Sequence, residues 1–157
     1  MVRWAGGADQ IEVMLERDEL QPVAGGSDAA DALLGMAERH VDAARACVQI
    51  DAAGAYALAY DATRKAATAL LAHQGLRPTT RGGHIAVVEA SEAQFPNVPG
   101  LKSLDRLRRR RNQAEYPDPT GYDPITVDEA HEAITVASQA IDTTRLIIDR
   151  PEIGMFR

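Results

Sequence analysis

The sequence predicts an all-α fold, an up-and-down bundle of four long helices plus a short one. Three observations predict it. Alanine recurs along the chain while aromatic residues make up only 4% of it, a balance that favours close helix packing, because strands draw on aromatic and β-branched side chains. Apolar residues recur at three- and four-residue spacing in successive segments, and no segment alternates as a half-buried strand does, so no sheet is expected. The prolines fall between those segments, where a missing N–H costs least. A length of 157 residues, 45% of them hydrophobic and 25% charged, fits one domain able to bury a core.

Residues 1–26 read as an N-terminal extension with a short helix at 8–18, its apolar side formed by Ile11, Met14 and Leu15. Pro22 and Gly25-Gly26 set it apart from a main body at 27–150. Ser27 and Asp28 are N-cap residues for the first long helix, whose stripe runs Ala30, Leu33, Leu34, Ala37, Val41, Ala44, Val48. After a turn near Asp51 and Gly54, a second helix covers roughly 53–74 and stops at Gly75, where glycine accepts a left-handed C-cap. A shorter helix follows from about His84 to Gln94, and Phe95–Gly100, with two prolines, cannot continue it. The fourth long segment runs from Leu101 to Glu115 and ends against Pro117. The last opens with a capping box, Thr126 and Glu129, and repeats Ala130, Ile134, Ala137, Ile141, Thr144 and Ile148; residues 151–157 are a C-terminal tail.

Several function classes drop out. One cysteine, Cys47, excludes an internal disulfide framework and a multi-cysteine zinc site, and its helical setting reads as a buried, inert thiol. The four histidines, His40, His73, His84 and His131, lack metal-ligand spacing; no metal and no cofactor are expected. His84 alone has local interest, because Gly82-Gly83 precedes it at a helix start, where backbone amides can hold an anion; a plain turn is the simpler reading. No apolar run is long enough to span a bilayer and the N-terminus lacks a signal-peptide pattern, so the expected place is the cytoplasm, off the membrane.

The chain's net charge of −6 hides an asymmetry. Between Leu101 and Arg111 stand Lys102, Arg106, Arg108, Arg109, Arg110 and Arg111 against Asp105 alone, +5 in an otherwise acidic protein. Such an island points to one localised anionic partner; the alternative is a solvated helix face neutralised by the protein's own acids. On a helix, Leu101, Leu104, Leu107, Arg111 and Ala114 share a stripe. Arg111 therefore continues an apolar face and needs a carboxylate, a carbonyl or a bound phosphate. Arg108, Arg111 and Glu115 form a second stripe; Arg109, Asn112 and Tyr116 form a third. Asp61 with Arg64 and Lys65 reads most simply as a surface ion pair.

Here the sequence resembles the HEPN family of nucleotide- and RNA-binding helical bundles. The resemblance rests on Arg111-Asn112 followed by Gln113-Ala114-Glu115-Tyr116. It is helped by Tyr60-Asp61-Ala62-Thr63-Arg64-Lys65-Ala66-Ala67 and by Gly82-Gly83-His84. Many members are metal-independent endoribonucleases in which an arginine is followed, after four to six residues, by a histidine, with two copies facing across a homodimer cleft. Arginine offers a planar fork to a phosphate; histidine moves protons near neutral pH. Position 116 holds tyrosine instead, with an ordinary pKa of about 10, a poor base at pH 7. The resemblance thus implies Arg111, Asn112 and Tyr116 as the catalytic positions. It implies Arg108, Arg109, Arg110, Glu115, Tyr60 and Asp61 as the RNA- or phosphate-binding surround. It further implies a homodimer acting on RNA as an RNase-like toxin or a catalytically weakened relative. The alternative it implies is a non-catalytic nucleotide- or protein-binding module, partnered by a minimal nucleotidyltransferase as antitoxin.

Overall fold

The computed structural model describes residues 4–156; Met1–Arg3 of the N-terminal extension and Arg157 of the C-terminal tail lie outside the described residues. Along the chain come α1 (Ala8–Glu16), β1 (Leu20–Pro22), α2 (Ser27–Cys47), α3 (Ala52–His73), β2 (Leu76–Pro78), α4 (Gly83–Gln94), a 3-10 turn (Leu101–Ser103), α5 (Leu104–Glu115) and α6 (Val127–Ile148).

The hub is α3, which packs against α2, α6, α5 and α4. Its sequence explains why. One face carries Tyr56, Tyr60, Thr63, Ala67 and Leu70, and beside it run Ala55, Ala59, Ala62, Ala66 and Ala69, all buried. Alanines on α2 (Ala30, Ala37, Ala44) and α6 (Ala130, Ala133, Ala137, Ala140) are buried too. Small side chains on three helices let the axes approach closely while the two tyrosines fill the wider gaps. The apolar residues of α5, Leu104 and Leu107, complete this core.

Local signals place the elements. The Asp51 carboxylate accepts from Gly54 N at 2.9 Å to cap α3. Both halves of the Thr126–Glu129 capping box are present on α6. Ser27 and Asp28 differ from expectation: both lie inside α2, and no side chain caps its start. Gly75 has φ of +74° and ends α3 as its position predicts. Gly100, at φ +84°, lets the chain before α5 press against Ala140 of α6, whose backbone a Cβ there would strike. That contact fixes where α5 begins.

The structure corrects the expectation of no sheet. β1 and β2 pair antiparallel, Leu20 opposite Pro78 and Pro22 opposite Leu76. Three residues are too few to show alternation, and each strand ends in a proline that stops the ladder. The N-terminal segment is packed rather than free: Ile11, Met14 and Leu20 form a second cluster with Leu71, Leu76, Ala86, Ala90 and Phe156. Trp4 stacks on Phe95 with centroids 5.5 Å apart, and its Nε1 donates to Gln94 O at 3.2 Å. Cys47 is half-buried.

Candidate anion site on the fifth helix

The five arginines of α5 all have acidic neighbours, in two different ways. Arg110 is the most enclosed, its side chain 15% exposed. Its Nε and Nη2 donate to the two Glu129 carboxylate oxygens at 2.9 and 3.2 Å, and its Nη1 to Asp123 O at 3.2 Å. The hydrogen bond from Arg110 holds the Glu129 carboxyl below its ordinary value against the opposing effect of burial. Arg106 reaches Glu132 on α6 at 2.8 Å. These two tie α5 to α6.

Arg108 and Arg109 share one carboxylate. Arg108 donates twice to Asp105 Oδ1, at 3.0 and 2.8 Å, and Arg109 Nε donates to Oδ2 at 2.7 Å. Burial pushes Asp105 up, but the hydrogen bonds and charges of both guanidiniums outweigh it and hold the group ionised. Two cations on one anion leave a net positive charge. Arg111, 31% exposed, pairs with Glu115 one turn along at 2.5 Å, and its Nη1 lies 3.5 Å from Asn112 Oδ1. It borders a depression of about 180 Å³ lined by Ala53, Ala57, Ala114, Glu115 and Ile125. A half-exposed helix pair of this kind contributes only about 0.3–0.5 kcal/mol, so a phosphate can displace Glu115 readily.

Across from Arg108 and Arg111 lies a polar group on α3 and α4. Tyr60 is buried at 1% exposure, and its hydroxyl meets His84 Nδ1 at 2.9 Å. The phenol is pushed above its ordinary value by burial, with the charges of Arg64, Arg108 and Arg111 opposing and Asp61 assisting. His84 is pushed below its ordinary value, first by desolvation, then by Arg64; Asp61 opposes, and Arg111 and Lys65 add to the fall. Charges from α5 are thus felt on both partners. Arg64 is poorly matched: Nη2 stands 3.5 Å from Asp61 Oδ1, and its shielded Nε has no hydrogen-bond partner among the described residues. An unmet buried donor costs about 1–3 kcal/mol.

Tyr116 falls elsewhere. It is 77% exposed at the end of α5 and lines a hollow with Arg110, Gln113, Pro117, Asp118, Gly121 and Asp123. Five positions beyond Arg111 the helix has turned about 140° past a full turn, so the two side chains diverge within one chain. The structure therefore puts Arg111 beside Asn112 and Glu115, brings Arg108 and Arg111 close enough to Tyr60 for their charges to act on its phenol, keeps Asp61 with Arg64 on α3, and leaves Arg109 on the rim. Arg110 and Tyr116 belong to the opposite side. In the sequence His84 is marked only by the Gly82-Gly83 helix start, and the spacing of Asp61 and Arg64 points to a surface pair. Among the described residues no group of three or more His, Cys, Asp or Glu could hold a metal ion, and no helix is long and apolar enough to cross a membrane.

Comparison with curated proteins and with solved structures gives no match. The family model of the HEPN domain matches residues 30–147, which run from the first turn of α2 almost to the end of α6 and include every residue of the α3–α4–α5 group. The chain therefore belongs to the HEPN family.

Proposed function

We propose that this HEPN protein acts on RNA, holding backbone phosphate with the Arg111 guanidinium beside Asn112 and with Arg108 alongside, as an RNase-like toxin or a weakened relative of one. The observation that carries the reading is the state of Arg111. It lies half-buried at the end of an apolar stripe, paired with a half-exposed, displaceable glutamate on its own helix and close to the Asn112 side chain beside it. Arginine in that setting offers two parallel donors to a phosphate. Homodimerisation, with two α5 helices lining one cleft, belongs to this proposal; a light-scattering mass equal to one 16.9 kDa chain at micromolar concentration counts against it.

The test is RNA binding followed across salt concentrations. Replacing Arg108 and Arg111 with alanine lowers affinity and flattens the salt dependence, because fewer counterions are released. Replacing Arg17 and Arg45, outside the island, changes neither. Equal effects from both pairs refute the reading.

One observation favours a second reading, a non-catalytic module that docks a nucleotidyltransferase-type antitoxin. Tyr116 and Tyr122, 77% and 71% exposed, lie in the loop between α5 and α6, and exposed tyrosines are common anchors in protein interfaces. Co-purification of such a partner that is lost on replacing both tyrosines with serine, with RNA binding absent, supports it over the first.

A further inference from the structure

Cleavage of RNA without a metal needs a group that exchanges protons near neutral pH, and tyrosine at position 116 cannot supply it. The fold places another candidate at the arginines. His84 is the first-turn residue of α4, at the surface, with its Nδ1 turned inward to the buried Tyr60 hydroxyl at 2.9 Å. Its Nε2, at the far edge of the ring, makes no hydrogen bond among the described residues. A ring held at one nitrogen by a buried partner and open at the other is the arrangement of an oriented proton-transfer group.

We propose that His84, oriented by Tyr60, is the general base for RNA cleavage in this protein, with Arg111 and the under-partnered Arg64 holding the phosphate that is attacked. The proposal rests on the RNA-directed reading above.

The chemistry balances without any co-reactant beyond water. His84 Nε2 takes the proton from a ribose 2′-hydroxyl, and the 2′-oxygen forms a bond to the adjacent phosphorus. The bond from phosphorus to the 5′-oxygen of the next nucleotide breaks, and that oxygen takes a proton from water. The products are a 2′,3′-cyclic phosphate and a 5′-hydroxyl end; the hydroxide left by water removes the proton from His84. In the base form Nδ1–H donates to the Tyr60 oxygen, and in the protonated form it still does. One hydroxyl therefore serves both states. Burial is the first opponent of protonation of the resting ring; the charges of Arg64, Arg111 and Lys65 add to it, while Asp61 favours protonation. The ring is thus neutral and competent as a base on the acid side of the usual histidine range. An incoming phosphate cancels part of the arginine charge, which makes the ring a stronger base when substrate is bound.

The experiment uses the full chain and a short single-stranded RNA, with products separated by end chemistry. The expected wild-type result is slow, metal-independent formation of 2′,3′-cyclic phosphate, with the acid limb of the pH–rate profile below about 6.5. His84→Ala lowers the rate about a hundredfold or more, changes RNA affinity less than threefold, and is partly rescued by added imidazole. Tyr60→Phe shifts the acid limb, as expected of a positioning residue; a purely structural tyrosine would lower stability and leave the limb in place. Substrate with 2′-deoxyribose at the scissile position binds but is not cut. Unchanged cleavage in His84→Ala overturns the proposal. RNA binding that depends on Arg111 with no cyclic phosphate formed at any pH also overturns it, and leaves the binding reading standing. Loss of that binding dependence instead refutes the binding reading itself.

Discussion

Arg110 and Arg111 are adjacent in sequence and opposite in circumstance. Arg110 is enclosed by α6 and the preceding loop, with Glu129 gripping it through two hydrogen bonds and a backbone carbonyl taking a third. Arg111 borders α3 at Ala53 and Ala57, keeps one carboxylate from its own helix, and lies close enough for its charge to act on Tyr60 and His84. An arginine whose donors are used by neighbouring elements is part of the scaffold. One whose partner is exposed and local is available to a ligand. Four consecutive arginines cannot be told apart by charge; the acids they meet separate them.

RNA binding should separate the two arginines most widely. Replacing Arg108 and Arg111 together with alanine should weaken RNA binding by about ten- to a hundredfold, since hydrogen bonds to charged groups contribute about 1.5–3 kcal/mol each before partial replacement by water. The melting temperature should fall by no more than about 4 °C, because Arg111 loses only a half-exposed helix pair and the largely shielded Asp105, though it loses Arg108, keeps its bond from Arg109. A filter-binding or fluorescence-anisotropy titration beside a thermal melt measures both. A large loss of stability with unchanged affinity would reverse the assignment of the two arginines.

Arg110→Ala should do the opposite. Losing a nearly enclosed guanidinium leaves Glu129 half-desolvated and detaches the loop at Asp123, at a cost of about 1–2 kcal/mol. For a chain of this size that lowers the melting temperature by about 3–8 °C. RNA affinity should change less than threefold.

The same pair sets a pH dependence. Glu129 is held below its ordinary value in the fold, so its contribution is fully present above about pH 4.3 and is lost as pH falls through the folded value. The stability gap between wild type and Arg110→Ala should therefore be widest at neutral pH and narrow toward pH 3. A gap that stays constant on acidification would show that Arg110 stabilises by packing its aliphatic stem rather than through Glu129.

Most of the bundle was legible because helix periodicity is a local property. Gly75, the Thr126–Glu129 box and Pro117 each acted within one turn of where they stand. The strand pair was not, since Leu20–Pro22 and Leu76–Pro78 are too short for a pattern and meet through the packing of α1, α3 and α4 around them. At the site, the stripe of Leu101, Leu104, Leu107 and Arg111 correctly put Arg111 at the border of the core. What no spacing rule could reveal is that His84, far along the chain from both Tyr60 and Arg111, is delivered by the start of a different helix. Tyr60 looks like a core aromatic in sequence and is one, but its hydroxyl must find a partner, and that requirement points to His84.

Tyr116 offers the smallest effect and the finest distinction. Its side chain is 77% exposed and its hydroxyl makes no hydrogen bond among the described residues. Tyr116→Phe should therefore leave stability within about 0.5 kcal/mol and RNA binding unchanged. Tyr116→His is more informative. In one chain the new imidazole would share a hollow with Arg110, Asp118 and Asp123, on the side of α5 away from Arg111, so it should add less than tenfold to cleavage. The family arrangement, in which two copies face across a cleft, is the one way position 116 could meet an Arg111, that of the second copy. A gain of a hundredfold or more that survives in a His84→Ala background would move the proton-transfer role to position 116 and require that cleft. A gain confined to chains that still carry His84 would leave the base where Tyr60 holds it.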